Sequence, residues 1–156
     1  MRRGRGETQL RLRSFRFADL DAVSPGVDFA REMASLSEDQ RRALALSWGF
    51  TLERGADLAP RTVLACGGVR EQRPGLWSVW CYADDLTARE WAVVAQAGRR
   101  LFDFIETTLA ARSLEMLVDL GNAAALRFAR KLGFAETGDL SARAGAAYRV
   151  MVREQD

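Results

Sequence analysis

The stretch Asn122 to Phe134, N-A-A-A-L-R-F-A-R-K-L-G-F, decides how this chain is read. Asn122 is a helix N-cap residue, with a side-chain oxygen able to accept from an early backbone N–H. Ala125, Leu126, Ala129 and Leu132 recur at three- and four-residue spacing, which makes one apolar helix face. Gly133 stops the helix where positive φ is needed. Before it, Leu114 to Leu120 reads as a buried strand. After it, Phe134 returns the chain to apolar surroundings. The unit is strand, capped helix, glycine, strand.

Working outward, Gln9 to Phe17 alternates Leu10 and Leu12 with Arg11 and Arg13, an edge-type strand. Ala18 to Asp21 begins a short helix or turn. Ser24-Pro25 caps a helix running to about Ser35. Ser37 and Gln40 form a capping-box pattern for a helix over 38–47. Three strands follow, Trp48 to Glu53, Arg61 to Val69 and Leu76 to Tyr82. Gly67-Gly68 closes the second with a bulge or close backbone approach, and 70–75 is a hairpin loop turning at Pro74-Gly75. Thr87 and Glu90 then open the strongest periodic signal. Trp91, Val94, Ala95, Gly98, Phe102, Ile105 and Leu109 line one face of a long helix; Arg89, Glu90, Arg99, Arg100, Asp103 and Glu106 line the other. The Ser141–Gly145 segment reads as a loop and Ala147 to Arg153 as the last strand. This order predicts an α+β fold, a mixed and mostly antiparallel central sheet flanked by helices.

Composition narrows the chemistry. A chain of 156 residues with 48% hydrophobic content suits one domain with a real core. No apolar run reaches the roughly 20 residues that span a membrane. The Arg-rich N-terminus has no apolar segment behind it, which argues against a secretory signal and for a cytoplasmic or virion-associated protein. There is no histidine, so histidine triads and the commonest general base are excluded. Cys66 and Cys81 both lie in apolar strands and read as buried free thiols rather than a disulfide or zinc ligands. The net charge is +2. Its distribution is uneven: residues 1–7 form a basic arm with Arg2, Arg3 and Arg5, preceding a domain over 8–156. Such an arm suits an acidic protein partner in an assembly, or more weakly the phosphates of a nucleic acid.

The element order resembles the GNAT fold of the Gcn5-related N-acetyltransferases. The family's second motif runs N-x-x-A-[ILV]-x-x-Y-x-K-x-G-F, and Asn122, Ala125, Leu126, Lys131, Gly133 and Phe134 fall at its spacings. The chain is similar, more narrowly, to short GNAT-like proteins of tailed phages and prophages, on Ser47-Trp48, Gly68, Trp77, Asp84-Asp85 and Asn122 to Phe134. The resemblance implies acetyl-CoA as cofactor, with Asn122, Arg89 and Thr87 as candidate binding residues.

Two departures cut against catalysis. The family holds a pyrophosphate on a glycine-rich loop, [QR]-x-x-G-x-[GA], at the N-terminus of the long helix. Residues 81–89 here contain no glycine and carry Asp84 and Asp85. Losing two charge-assisted hydrogen bonds weakens binding roughly a hundredfold or more. The family's general-acid tyrosine falls at Ala129. Glu71, Glu115 and Tyr82 are candidates for proton transfer, with Asp119 beside Glu115. The reading here is therefore a non-catalytic GNAT-fold protein of phage or prophage type, associated with a virion or its assembly. The alternative is an acetyl-CoA-dependent N-acyltransferase acting on an amine of a small molecule or protein through an atypical cofactor loop.

Overall fold

The structure is a computed structural model; it describes residues 9–23, 34, 36–56, 60–143 and 146–155. Seven strands form one sheet: β1 (Gln9–Ser14), β2 (Trp48–Gly55), β3 (Thr62–Arg73), β4 (Leu76–Ala83), β5 (Ser113–Asp119), β6 (Ala135–Arg143) and β7 (Ala146–Glu154). Their order is β1-β2-β3-β4-β5-β7-β6. Every pairing is antiparallel except β4 with β5. The described helices are α1 (Asp19–Ala22), α2 (Glu38–Ala45), α3 (Ala88–Thr108) and α4 (Ala123–Lys131). This is the expected α+β arrangement. The expected helix after Ser24-Pro25 and the basic arm with Arg2, Arg3 and Arg5 lie outside the described residues.

The capping signals act as read. Ser37 accepts from Gln40 N while Gln40 returns a bond to Ser37 N. Thr87 and Glu90 do the same for α3. Asn122 Oδ1 accepts from Ala125 N at 2.9 Å. Gly133 follows α4 at φ +90°, a conformation that disfavours any Cβ.

Two strands are longer than the sequence suggests. Residues 70–73 continue β3 rather than forming a loop, because they pair with 76–78 across a tight turn. Ser141 to Arg143 belongs to β6 rather than to a loop, since Ser141 pairs with Tyr148 and Arg143 with Ala146. Gly68 lies in mid-strand, and its value is close approach: a Cβ there would stand 2.7 Å from Trp48 O and 2.8 Å from Trp80 Cζ2.

Alternation along β4 divides the core. Trp77 and Val79 turn to the face covered by α3 and α4, where Phe102, Ile105, Leu126, Ala129 and Leu132 meet Leu114 and Met116. Trp80 and Tyr82 turn to the other face and pack with Leu20, Val23, Phe15 and Cys66. On that side Arg13 bridges Asp19 and Glu53, tying β1, α1 and β2 together.

Candidate functional site

The site begins where two parallel strands part. β4 and β5 pair from Leu76–Ser113 to Val79–Met116 and no further. Beyond that point β4 stays bonded to β3 as far as Ala83. β5 stays bonded to β7 as far as Asp119. The facing edges, Trp80 to Ala83 and Leu117 to Asp119, therefore open as a wedge between strands already anchored on their outer sides.

A small cavity of about 20 Å³ lies at the apex of this wedge. Val79, Cys81 and Met116 line it from the strands, Gly98 from α3, and Phe128 and Leu132 from the α4 end. Its volume is room for about one water molecule or one methyl group. Phe128 also meets Trp91 of the first α3 turn, with ring centres 4.7 Å apart, so an aromatic pair bridges α3 and α4 beside the cavity. Burial pushes the Cys81 thiol up to about 12. Burial raises Cys66 further still, so neither thiol is a thiolate at neutral pH.

The loop from β4 to α3 uses its own backbone donors. Asp84 N donates to Leu64 O at 2.9 Å, and Asp85 N to Asp84 Oδ1 at 2.8 Å. Thr87 N donates to Glu90 Oε1 at 3.0 Å, and Glu90 N to Thr87 Oγ1 at 3.2 Å. Glu90, expected on the outer face, is buried at 4% exposure, because its carboxylate turns back to cap the helix and faces Arg54 at 3.5 Å.

No protein-family model matches the chain, and no curated protein matches it. Solved structures do. A spermidine N-acetyltransferase chimera of Vibrio cholerae SpeG and hSSAT aligns at TM-score 0.63 and 16% identity, over 94% of this chain and 95% of that one. A GCN5-related N-acetyltransferase from Kribbella flavida aligns at TM-score 0.60 and 22% identity, over 94% and 98%. The Vibrio cholerae spermidine N-acetyltransferase in complex with CoA and spermine aligns at TM-score 0.57 and 16% identity, over 94% and 96%. The fold is that of the GCN5-related N-acetyltransferases.

On this N-acetyltransferase fold, the candidate residues separate. Tyr82 is half-buried on the open arm of β4, its ring 5.8 Å from that of Trp80, on the face away from the cavity. Glu115 shares that face, half-buried on β5 and in register with Ser78. Asp119 ends β5, and its Oδ1 accepts from Gly121 N at 2.7 Å. Glu71 is on β3 rather than in a loop. It pairs with Trp77, exposed, at the closed end of the β4–β5 pairing and away from the wedge. Arg89 is exposed in the first turn of α3. Thr87 and Asn122 both spend their side-chain oxygens on helix caps.

These positions give a divided fit to an acyl-CoA. The apolar wedge suits the thioester end: open strand edges can pair with amides of an extended arm, and the cavity takes an apolar group. The loop does not fit the diphosphate in the family's usual way. Three of its amides, those of Asp84, Asp85 and Thr87, are already bonded, and Asp84 and Asp85 add negative charge. Ala129, at the family's tyrosine position, is fully buried in the core. Its neighbour Phe128 lines the cavity instead. Sequence reading missed Phe128, Gly98 and Met116 as site residues. The available signal was Gly98, a gap in an otherwise bulky apolar helix face.

Proposed function

We propose that this chain is an N-acyltransferase. It takes an acyl thioester in the wedge between β4 and β5 and passes the acyl group to an amine of a small molecule or protein. The observation that carries this reading is the parting of the two parallel strands past Val79 and Met116, with a cavity at the apex. The shared fold with N-acetyltransferases, one of them in complex with CoA, supports it further.

The reaction joins the amine nitrogen to the thioester carbonyl carbon as the C–S bond breaks. The nitrogen loses one proton and the departing sulfur gains one. The open edge from Trp80 to Ala83 supplies backbone N–H and C=O groups that orient the donor. Glu115 and Tyr82, on the opposite face, are the groups proposed to carry the proton away from an amine entering there. Cys81 is not an acyl carrier on this reading, because its neutral thiol is a poor nucleophile. Transfer is direct.

The three bonded loop amides favour a second reading, a scaffold without efficient transfer. On that reading it serves as an assembly protein of phage or prophage type, contacting its partner through the arm that carries Arg2, Arg3 and Arg5. One experiment separates the two. Purified protein is incubated with acetyl-CoA and a panel of primary amines and lysine peptides, and acylated product is measured by mass spectrometry. Product above the uncatalysed rate, lost in Tyr82→Phe with Glu115→Gln, supports the transferase. No product with any amine, from a protein that calorimetry shows does not bind acetyl-CoA, supports the scaffold.

A further inference from the structure

β4 parts from β5 after Val79, and the first residue of its open edge is Trp80. Resting on the acyltransferase reading, we infer that Trp80 is a positioning residue. Its indole, laid in a trough across the far face of the sheet, holds the open edge of β4 where the thioester is oriented.

Two glycines build the trough. Gly49, Gly68 and Trp80 stand in one row across β2, β3 and β4. Directly paired residues point to the same face of a sheet. The two glycines therefore leave the row without side chains on the face away from α3, and the indole lies across it. A Cβ at Gly68 would stand 2.8 Å from Trp80 Cζ2 and 3.0 Å from Trp80 Cε2, so the ring rests directly on β3. Phe15 meets the indole edge-on, with ring centres 4.8 Å apart, and a Cβ at Gly49 would stand 3.2 Å from Phe15 Cβ. The indole nitrogen is bonded as well. Trp80 Nε1 donates to Ser47 Oγ at 3.1 Å, and Ser47 Oγ donates to Ala43 O at 3.4 Å. Ser47 lies between α2 and β2. The first residue of the open edge is thus tied across β3 to the α2–β2 junction.

This anchor bears on the reaction in two ways. Past Val79, among the described residues, β4 is paired only with β3, so the edge from Trp80 to Ala83 depends on that pairing and on its side-chain anchors. Tyr82, one of the proposed proton carriers, packs against the same indole, with ring centres 5.8 Å apart. A shift of Trp80 therefore moves the donor-orienting edge and Tyr82 together. Rate is steep in such displacements: about 1 Å can cost on the order of a hundredfold. The Ser47 bond biases the anchored position by roughly two- to tenfold, as a neutral hydrogen bond does.

The test uses Ser47→Ala, Trp80→Phe and their double variant. Each single change removes the same hydrogen bond from one side, and Trp80→Phe keeps a ring in the trough. Amide hydrogen exchange along β4 and acetyl transfer from acetyl-CoA to primary amines and lysine peptides are measured on the intact proteins. Exchange over residues 80–83 should quicken roughly two- to tenfold in each variant, while 76–79, paired on both sides, holds steady. The kcat per folded molecule should fall by at least about twofold, with KM for the accepted amine within about twofold. The double variant should match the single ones, since one bond is at issue. Uniform quickening along β4, or none, overturns the inference, because the indole then only stabilises the sheet. So does an unchanged kcat in a variant whose edge has loosened. Absence of transfer by the unsubstituted protein overturns the transferase instead, and local loosening of 80–83 then leaves the anchor standing.

Discussion

Arg13 holds Asp19 through both terminal guanidinium nitrogens, Nη2 to Oδ1 at 2.6 Å and Nη1 to Oδ2 at 2.8 Å. Its Nε reaches Glu53 at 2.6 Å, and Thr51 Oγ1 and Arg16 N also donate to Asp19. One arginine thus fixes β1, α1 and β2 on the face where the amine would enter. Burial raises the Asp19 pKa, but the hydrogen bonds from Arg13, Thr51 and Arg16 and the Arg13 charge outweigh it and leave a value of about 2. That lies below the ordinary 3.8, so the clamp stabilises fully above about pH 4 and its contribution is lost as pH falls through about 2. Asp19→Asn should cost about 2–3 kcal/mol near neutral pH. Urea unfolding of both proteins over a pH series checks this, and the gap should narrow on acidification. A constant gap down to the acid limit would place the loss elsewhere.

Arg153 performs a similar task at the other end. From β7 it donates to Leu132 O at 2.8 Å, pairs with Glu106 at 2.9 Å, and lies 5.3 Å from the Phe102 ring centre. It therefore joins the ends of α3 and α4 to the sheet beneath the cavity wall. Arg153→Met keeps the aliphatic stem and removes the bonds, at a cost of about 2 kcal/mol. A loss within about 0.5 kcal/mol in denaturant unfolding would show that the charge is idle.

Why some of this could be read from sequence and some could not follows from where each signal lives. The Ser37–Gln40 and Thr87–Glu90 boxes and the Asn122 cap need only residues within one turn, and they form as read. Glu90 was misassigned because periodicity sees a polar residue on a polar face, whereas Arg54, 36 residues away in sequence, covers it. Ser141 to Arg143 was misread because small and polar residues carry little strand preference, and β7 supplies the pairing. The pairing also slips between Glu136 and Leu140, hiding any alternation. The cavity was illegible for a stronger reason. Val79, Gly98, Met116 and Phe128 come from four separate elements, and a void leaves no residue to read.

Gly98 also allows a stability test. A helix-interior glycine costs roughly 0.5–1 kcal/mol relative to alanine. Since the added Cβ meets nothing closer than 3.9 Å, Gly98→Ala should stabilise by about that amount. Thermal unfolding reads this directly. A destabilised Gly98→Ala would mean that α3 packs more tightly there than the cavity allows.

Cys81 tests whether transfer is direct. With its thiol pushed up to about 12 by burial, the thiolate is scarce through the working range of an amine acyltransferase. A thiol reagent should modify neither cysteine in the folded protein near pH 8 and should titrate both once urea unfolds it. Cys81→Ala should leave transfer within about threefold, a difference of under 1 kcal/mol. An acylated Cys81 peptide recovered from a quenched reaction would instead demand a covalent intermediate.

The loop before α3 carries the remaining prediction. Asp85 N is bonded to the Asp84 carboxylate, and both acids stand beside the α3 N-terminus, where a diphosphate would need positive potential. Replacing both with glycine frees that N–H, removes two negative charges and relaxes the backbone, without touching the Thr87–Glu90 cap. One recovered hydrogen bond to a charged group is worth about 1.5–3 kcal/mol. CoA affinity in the Asp84→Gly, Asp85→Gly double variant should therefore rise between about tenfold and a hundredfold, measured by calorimetry. The gain should shrink with added salt, as lost charge repulsion would. Thioesters without a nucleotide, such as S-acetyl N-acetylcysteamine, serve as the internal control, because they do not reach this loop and their affinity should not move. If CoA binding is unchanged while those controls hold steady, the loop is not where a diphosphate lies on this fold, and its carboxylates oppose nothing.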